Sequence, residues 1–154
     1  MFGLNSAGRR ADTPVAFKAI PCLLTTDGSS WNMKALIIDD SRTMRRLLAS
    51  YLAEFTTDIF EAEDGVQALE QLQLHAPIDI ALVDWDMPRM NGLEFVKAVR
   101  ADPAFAETKL LMVTSHNSME DVGEALAEGS NDFLMKPMTG EMVVDKLRLL
   151  GLAN

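Results

Sequence analysis

From residue 33 onward, short apolar runs alternate with longer segments in which apolar residues return every three or four positions. The runs are ALII (35–38), DIFEAE (58–63), DIALV (79–83), LLMVT (110–114) and DFLM (132–135). Short apolar runs bounded by polar residues predict strands. The periodic segments predict helices. The clearest is the first, where Met44, Leu47, Leu48, Tyr51, Leu52 and Phe55 share one stripe. Further stripes are Leu69 with Leu72, then Leu93, Val96 and Val99, then Val122 with Leu126, and finally Met142, Val143, Lys146 and Leu150. Ser41, Ser118 and Thr139 stand where a side-chain oxygen would cap a first helical turn. Strand and helix alternate five times, and the first, third and fourth runs are nearly all apolar, as parallel strands covered on both faces must be. The expected fold class is therefore α/β, a doubly wound parallel sheet. In such sheets ligands collect at the carboxyl ends of the strands, beside the reversal of strand order.

Composition narrows the function. The chain of 154 residues is 48% hydrophobic, enough for the core of one domain, and its formal net charge of −9 repels a phosphate backbone. Nucleic acid is excluded as a direct partner. A single cysteine, Cys22, forms no internal disulfide, and no apolar run reaches the ~20 residues that span a bilayer. The reading is a soluble, cytoplasmic protein with no membrane partner. The segment 1–32 differs in texture, with Arg9, Arg10 and Lys18 against Asp12 and Asp27. Its stretch VAFKAIPCLL is interrupted by Lys18 and Pro21 and lacks a small-x-small cleavage site, unlike a signal peptide. Residues 1–32 are expected to be a disordered leader, or a start assigned too early with Met33 as the true first residue. Residues 33–154 are expected to form the domain.

The chemistry lies just past the predicted strands. Asp39 and Asp40 follow the first run, Asp84 the third, Thr114 and Ser115 close the fourth, and Lys136 precedes Pro137 after the fifth. Each alone reads as a polar strand end. Together they bring three carboxylates, a hydroxyl and an amine to one sheet edge. Carboxylates that close repel by about 4 kcal/mol per pair at an effective dielectric near 20. Either raised pKa values or a divalent cation must offset this. Mg2+ takes one or two carboxylates plus phosphate oxygens and keeps several waters, which suits this set. Lys136 adds a point charge and Thr114 a hydroxyl for whatever oxygens the metal leaves free. Such a site suits phosphoryl transfer, with Asp84 itself able to be the covalent acceptor.

With these residues the chain resembles the receiver domain of two-component response regulators, of the stand-alone, chemotaxis type. The resemblance rests on IIDDSRTMRRLL, EAEDGVQALEQL, VDWDMPRMNGLEF, LMVTS and FLMKP, in family order and spacing across nearly all of 33–150. It implies a flavodoxin-like, five-stranded sheet of order 2-1-3-4-5 with five helices. It further implies that Asp84 accepts a phosphoryl group from a sensor histidine kinase or a histidine phosphotransfer domain. Mg2+ would sit on Asp39, Asp40, Asp84 and the Asp86 backbone carbonyl, with Thr114 and Lys136 binding phosphoryl oxygens. Thr114 and Phe133 would be the switch pair. A protein of this kind assists its own phosphorylation and dephosphorylation but is not a metabolic enzyme. With no output domain expected, the signal leaves by binding a separate downstream protein.

Three departures from the chemotaxis pattern stand out. Phe133 replaces the usual tyrosine, Asp86 the usual asparagine, and His116 lies two residues past Thr114. Asp86 and His116 are expected to tune the lifetime of the phosphoryl group. The expected input surface is Arg42, Met44 and Arg45, and the expected output surface is Val122, Gly123, Phe133 and Met142. His75 reads as a helix-end residue and Trp85 as a half-buried neighbour of the site. Two other functions compete. Asp84-Trp85-Asp86 has the D-x-D spacing of haloacid-dehalogenase-type phosphatases, but those enzymes carry it at the first strand and follow it with different residues. A receiver-fold interaction module that is never phosphorylated is the stronger alternative.

Overall fold

The computed structural model describes residues 33–153. The expectation for 1–32 lies outside the described residues. Five strands form: β1 (Lys34–Ile38), β2 (Asp58–Ala62), β3 (Ile80–Val83), β4 (Lys109–Thr114) and β5 (Asp132–Met135). All five pair in parallel in the order β2-β1-β3-β4-β5, the doubly wound topology the alternation predicted. Between them run α1 (Arg42–Leu52), α2 (Gly65–His75), α3 (Gly92–Arg100), α4 (Met119–Glu128) and α5 (Gly140–Leu149). A short 3-10 turn, Pro103–Phe105, follows α3.

The sheet separates two cores. Leu36, Ile38, Ala81, Val83, Leu110 and Met112 face α2 and α3, meeting Ala68, Leu72, Phe95, Val96 and Val99. The alternate residues Ala35, Ile37, Ile80, Leu82, Leu111 and Val113 face α1 and α5, meeting Leu48, Leu52, Val143 and Leu147. Strand side chains alternate between faces, so unbroken apolar runs are what a sheet covered on both sides demands. β3 is buried throughout, while the edge strands β2 and β5 are only partly covered.

The caps hold as expected. Ser41 accepts the Met44 N–H, Ser118 those of Glu120 and Asp121, and Thr139 that of Met142. Asp64 and Asn91 do the same for α2 and α3, and Asn91 forms a reciprocal capping box with Glu94. Three stripe residues depart from expectation. Leu47 and Met142 are each 38% exposed and Leu126 is 42% exposed. On α1 the inward position between Leu48 and the sheet end is taken by Arg45, leaving Leu47 at the margin. On α4 only Ala125 is buried, so this helix lies against the sheet with a narrow contact. No helix among the described residues is long and apolar enough to cross a membrane.

Candidate functional site

The order of strands reverses between β1 and β3, and register carries the site from there. Ile38 pairs with Val83, and the Asp84 N–H donates to the Ile38 carbonyl at 2.9 Å. Asp39 and Asp84 therefore leave adjacent strands side by side. On the other flank Val83 pairs with Met112 and Thr114 with Met135, and the Lys136 N–H donates to the Thr114 carbonyl at 2.8 Å. Residues distant in sequence arrive at one edge because four strands end there together.

Asp39, Asp40 and Asp84 each offer a carboxylate oxygen, all within 4.8 Å of one another. Asp39 is 2% exposed and Asp84 8%, whereas Asp40 is open to solvent. The Lys136 ammonium donates to Asp39 Oδ2 at 3.1 Å and to Asp84 Oδ1 at 3.2 Å. Asp39 Oδ1 accepts the Ser41 N–H at 2.8 Å, and Asp84 Oδ1 also accepts the Trp85 N–H at 2.9 Å. Burial, and then the neighbouring Asp39 charge, push the Asp84 carboxyl up to about 6 despite the opposing pull of Lys136. Burial would lower the Lys136 pKa, but the charges of Asp84 and Asp39 outweigh it and hold the ammonium above its ordinary value. One lysine does not neutralise the cluster. Hard oxygen donors at this spacing, with a charge excess, fit a divalent cation of the Mg2+ type. A groove of about 490 Å³ lined by Asp40, Asp86, Met87, Pro88 and Asn91 leads to it.

Thr114 is buried and its hydroxyl oxygen accepts the His116 N–H at 2.9 Å. The His116 ring stands between the β3–α3 loop and the first turn of α4. Its Nε2 stands 2.8 Å from Asp86 Oδ2 and its Nδ1 3.1 Å from Asp121 Oδ2, and it stacks on Trp85 with centroids 5.1 Å apart. Sequence reasoning named His116 and Asp86 but missed Asp121, whose approach depends on how α4 sits. Phe133 is half-buried, with the Lys146 ammonium 5.5 Å above its ring. His75 is the last residue of α2 and stacks on Phe60.

Arg45 differs from its expected role as a docking residue. It is 9% exposed, its Nε donates to Glu61 Oε1 at 2.8 Å, and its Nη1 donates to the Asp39 carbonyl at 2.6 Å. It braces Asp39 from behind. Its spacing of three and seven residues from Leu48 and Leu52 was the signal that it points inward. The exposed side chains of that turn are Arg42, Thr43 and Arg46, which line a small groove. Val122 is half-buried, Gly123 and Met142 are exposed, and Met119, at 85% exposure, shares the face of α4 that carries Gly123 and Leu126.

The family model of the response regulator receiver domain matches residues 35–148. The chain belongs to that family, the receivers of two-component signalling. Within it the chain is of the chemotaxis type. It is 41% identical over 119 residues to the chemotaxis protein CheY1 of Helicobacter pylori strain J99, covering 77% of this chain and 96% of that one. It is 40% identical over 116 residues to a CheY homolog of Campylobacter jejuni, covering 75% and 89%. Among solved structures, Vibrio cholerae CheY4 superposes with a TM-score of 0.71 at 35% identity, over 77% of this chain and 98% of that one. CheY in the CheX-CheY-BeF3-Mg2+ complex of Borrelia burgdorferi does so with a TM-score of 0.69 at 26% identity, over 77% and 89%. The protein is thus a signalling receiver rather than a metabolic enzyme.

Proposed function

We propose that the protein is a cytoplasmic response regulator that takes a phosphoryl group on Asp84 and signals by phosphorylation-dependent protein binding. The observation that carries this reading is Lys136, whose ammonium bridges the buried carboxylates of Asp39 and Asp84 beside Asp40. The donor is a phosphohistidine of a sensor kinase or phosphotransfer domain. An Asp84 oxygen bonds to phosphorus as the phosphorus–nitrogen bond breaks, and the histidine nitrogen leaves with its electron pair. Asp39, Asp40, Asp84 and the Asp86 carbonyl would hold Mg2+, which neutralises charge on the phosphoryl oxygens in transfer. Lys136 gives up its contact with Asp84 to pair with a phosphoryl oxygen, and stays protonated because Asp39 remains beside it.

Phosphorylation adds close to two negative charges. Thr114 turns its hydroxyl toward them, and Phe133 swings into the space behind it. Moving an equilibrium from 1:99 to 99:1 takes about 5.5 kcal/mol, which several charge-assisted contacts to one dianion are able to supply. Arg42 and Met44 receive the donor, with Arg45 acting from inside the fold. Val122, Gly123, Phe133 and Met142 present the output to a separate protein. Asp86 and His116 set how long the phosphoryl group lasts.

The test is the intact mass after incubation with acetyl phosphate, with and without Mg2+. One phosphoryl group is expected, dependent on the metal and absent from Asp84→Asn. No adduct even at the shortest times would replace this reading with that of an unphosphorylated interaction module.

A further inference from the structure

Asp86 belongs to the loop between β3 and α3, and that loop is closed on itself and fastened at its far end. The Gly92 N–H donates to the Trp85 carbonyl at 2.9 Å, which ties the two ends of residues 85–92 together. At the tip, Arg89 is the non-glycine residue with left-handed backbone among the described residues, with φ 65°. Such a conformation persists only where its surroundings hold it. What holds it is Asp64, the cap of α2. Arg89 Nε and Nη2 both donate to Asp64 Oδ2, at 2.8 and 2.6 Å.

Asp64 is an anchor rather than a surface partner. Its side chain is 6% exposed, and its other oxygen accepts the Gln67 N–H at 2.9 Å. Burial opposes its charge, but the Gln67 N–H and the Arg89 guanidinium hold its carboxyl below the usual range. Beside this contact the Gly65 N–H donates to the Met90 carbonyl at 3.2 Å. The Met90 side chain lies so close over Gly65 that a Cβ there would come within 2.6 Å of it. The loop is therefore pinned to the amino end of α2 by one ion pair, one backbone bond and one close packing contact.

We infer that the Arg89–Asp64 pair is the pin that places the Asp86 peptide opposite Asp40 and so sets the affinity of the carboxylate site for Mg2+. The inference rests on the metal role proposed above. Arg89 does not touch the cluster; it is a positioning residue acting through the loop. Asp86, Met87, Pro88 and Asn91 form one wall of the groove and Asp40 another. Four of the loop's residues thus line a groove whose remaining lining residue is a carboxylate of the cluster. Release of the tip frees that wall to move relative to Asp40. Oxygen donors held by outlying contacts lose metal affinity when those contacts are cut.

The experiment is a Mg2+ titration of the full chain followed by amide chemical shifts of Asp40, Asp84 and Asp86. Arg89→Gly removes the pin while tolerating positive φ, so backbone strain is not introduced. Asp64→Asn removes the charge but keeps a good cap on α2. Each is expected to raise the Mg2+ dissociation constant by about tenfold, and the double variant no further than either single one. Far-UV circular dichroism confirms that the variants fold. A dissociation constant within about twofold of the wild type in either folded variant overturns the inference, as do effects that simply add in the double variant. No saturable Mg2+ response in the wild-type chain overturns the metal reading itself, and the pin's function with it.

Discussion

The imidazole Nε2 of His116 stands 2.8 Å from Asp86 Oδ2, joining the β4–α4 loop to the loop beside Asp84. The ring's other nitrogen faces Asp121, so both nitrogens meet carboxylates, which suits an imidazolium donating twice. Loss of the ring frees Asp86 and the Trp85 face beside the acceptor. His116→Ala is expected to speed loss of the phosphoryl group by up to about tenfold, the worth of a hydrogen bond near 1.4 kcal/mol. Asp86→Asn loosens the same contact, so the double variant should fall short of additivity. Equal decay rates in all four proteins, followed by mass after donor removal, would disprove the role.

The same contact should be visible in a titration. The Asp86 hydrogen bond chiefly, with Asp121 in support, lifts the His116 pKa above its ordinary 6.5 although burial opposes it. A histidine raised on folding stabilises the fold fully below its unfolded pKa and loses that contribution as pH rises through the folded value. Imidazole proton shifts should place the His116 pKa above 6.5, and Asp86→Asn should lower it.

Asp84 carries the same sign for a different reason: burial favours its neutral form, where His116 favours its charged one. Its folded pKa of about 6 lies above the ordinary 3.8 of an aspartate, so in metal-free buffer its ionisation weakens the fold as pH rises from about 4 through 6. Asp84→Asn removes that penalty and should stabilise the metal-free protein at pH 7 by up to about 3 kcal/mol. Thermal melts in chelator should show the gap closing near pH 4. A gap that does not change with pH would mean that the carboxylate is not frustrated.

Lys136→Met leaves Asp39 and Asp84 facing each other without their shared cation. The metal-free protein should lose about 2 kcal/mol, less than a fully buried pair because the Lys136 side chain is 19% exposed. Millimolar Mg2+ should recover part of the loss if it binds the same carboxylates. Urea unfolding with and without Mg2+ measures both.

Gly92→Ala tests how tightly the acceptor is packed. A Cβ there would overlap the Asp84 carbonyl oxygen and lie 3.0 Å from both the Trp85 Cα and the Met112 methyl. Backbone cannot yield as a flexible side chain does. Destabilisation of about 1–3 kcal/mol by urea unfolding is expected, with weaker phosphorylation by acetyl phosphate. An unchanged midpoint would show that the β3–α3 junction is looser than it looks.

Much of this was legible in the chain itself. Apolar runs at even spacing specified β1 to β5, because strands buried on both faces tolerate few polar residues between their ends. The polar residues that close those runs, Asp39, Asp40, Asp84 and Thr114, with Lys136 just beyond the last, were bound to meet at one edge, since parallel strands all end there. Periodicity also held the clue to Arg45, three residues from Leu48 and seven from Leu52, although its charge suggested a surface. Other features had no local signature. That Asp121 reaches His116, that Arg89 reaches Asp64 across 25 positions, and that Met90 covers Gly65 depend on how α2 and α4 lie against the loops. Local sequence sets backbone preference and hydrophobic period, which act over a few residues. Contacts between loops are settled only when helices dock and fix the directions in which charged side chains leave the sheet edge.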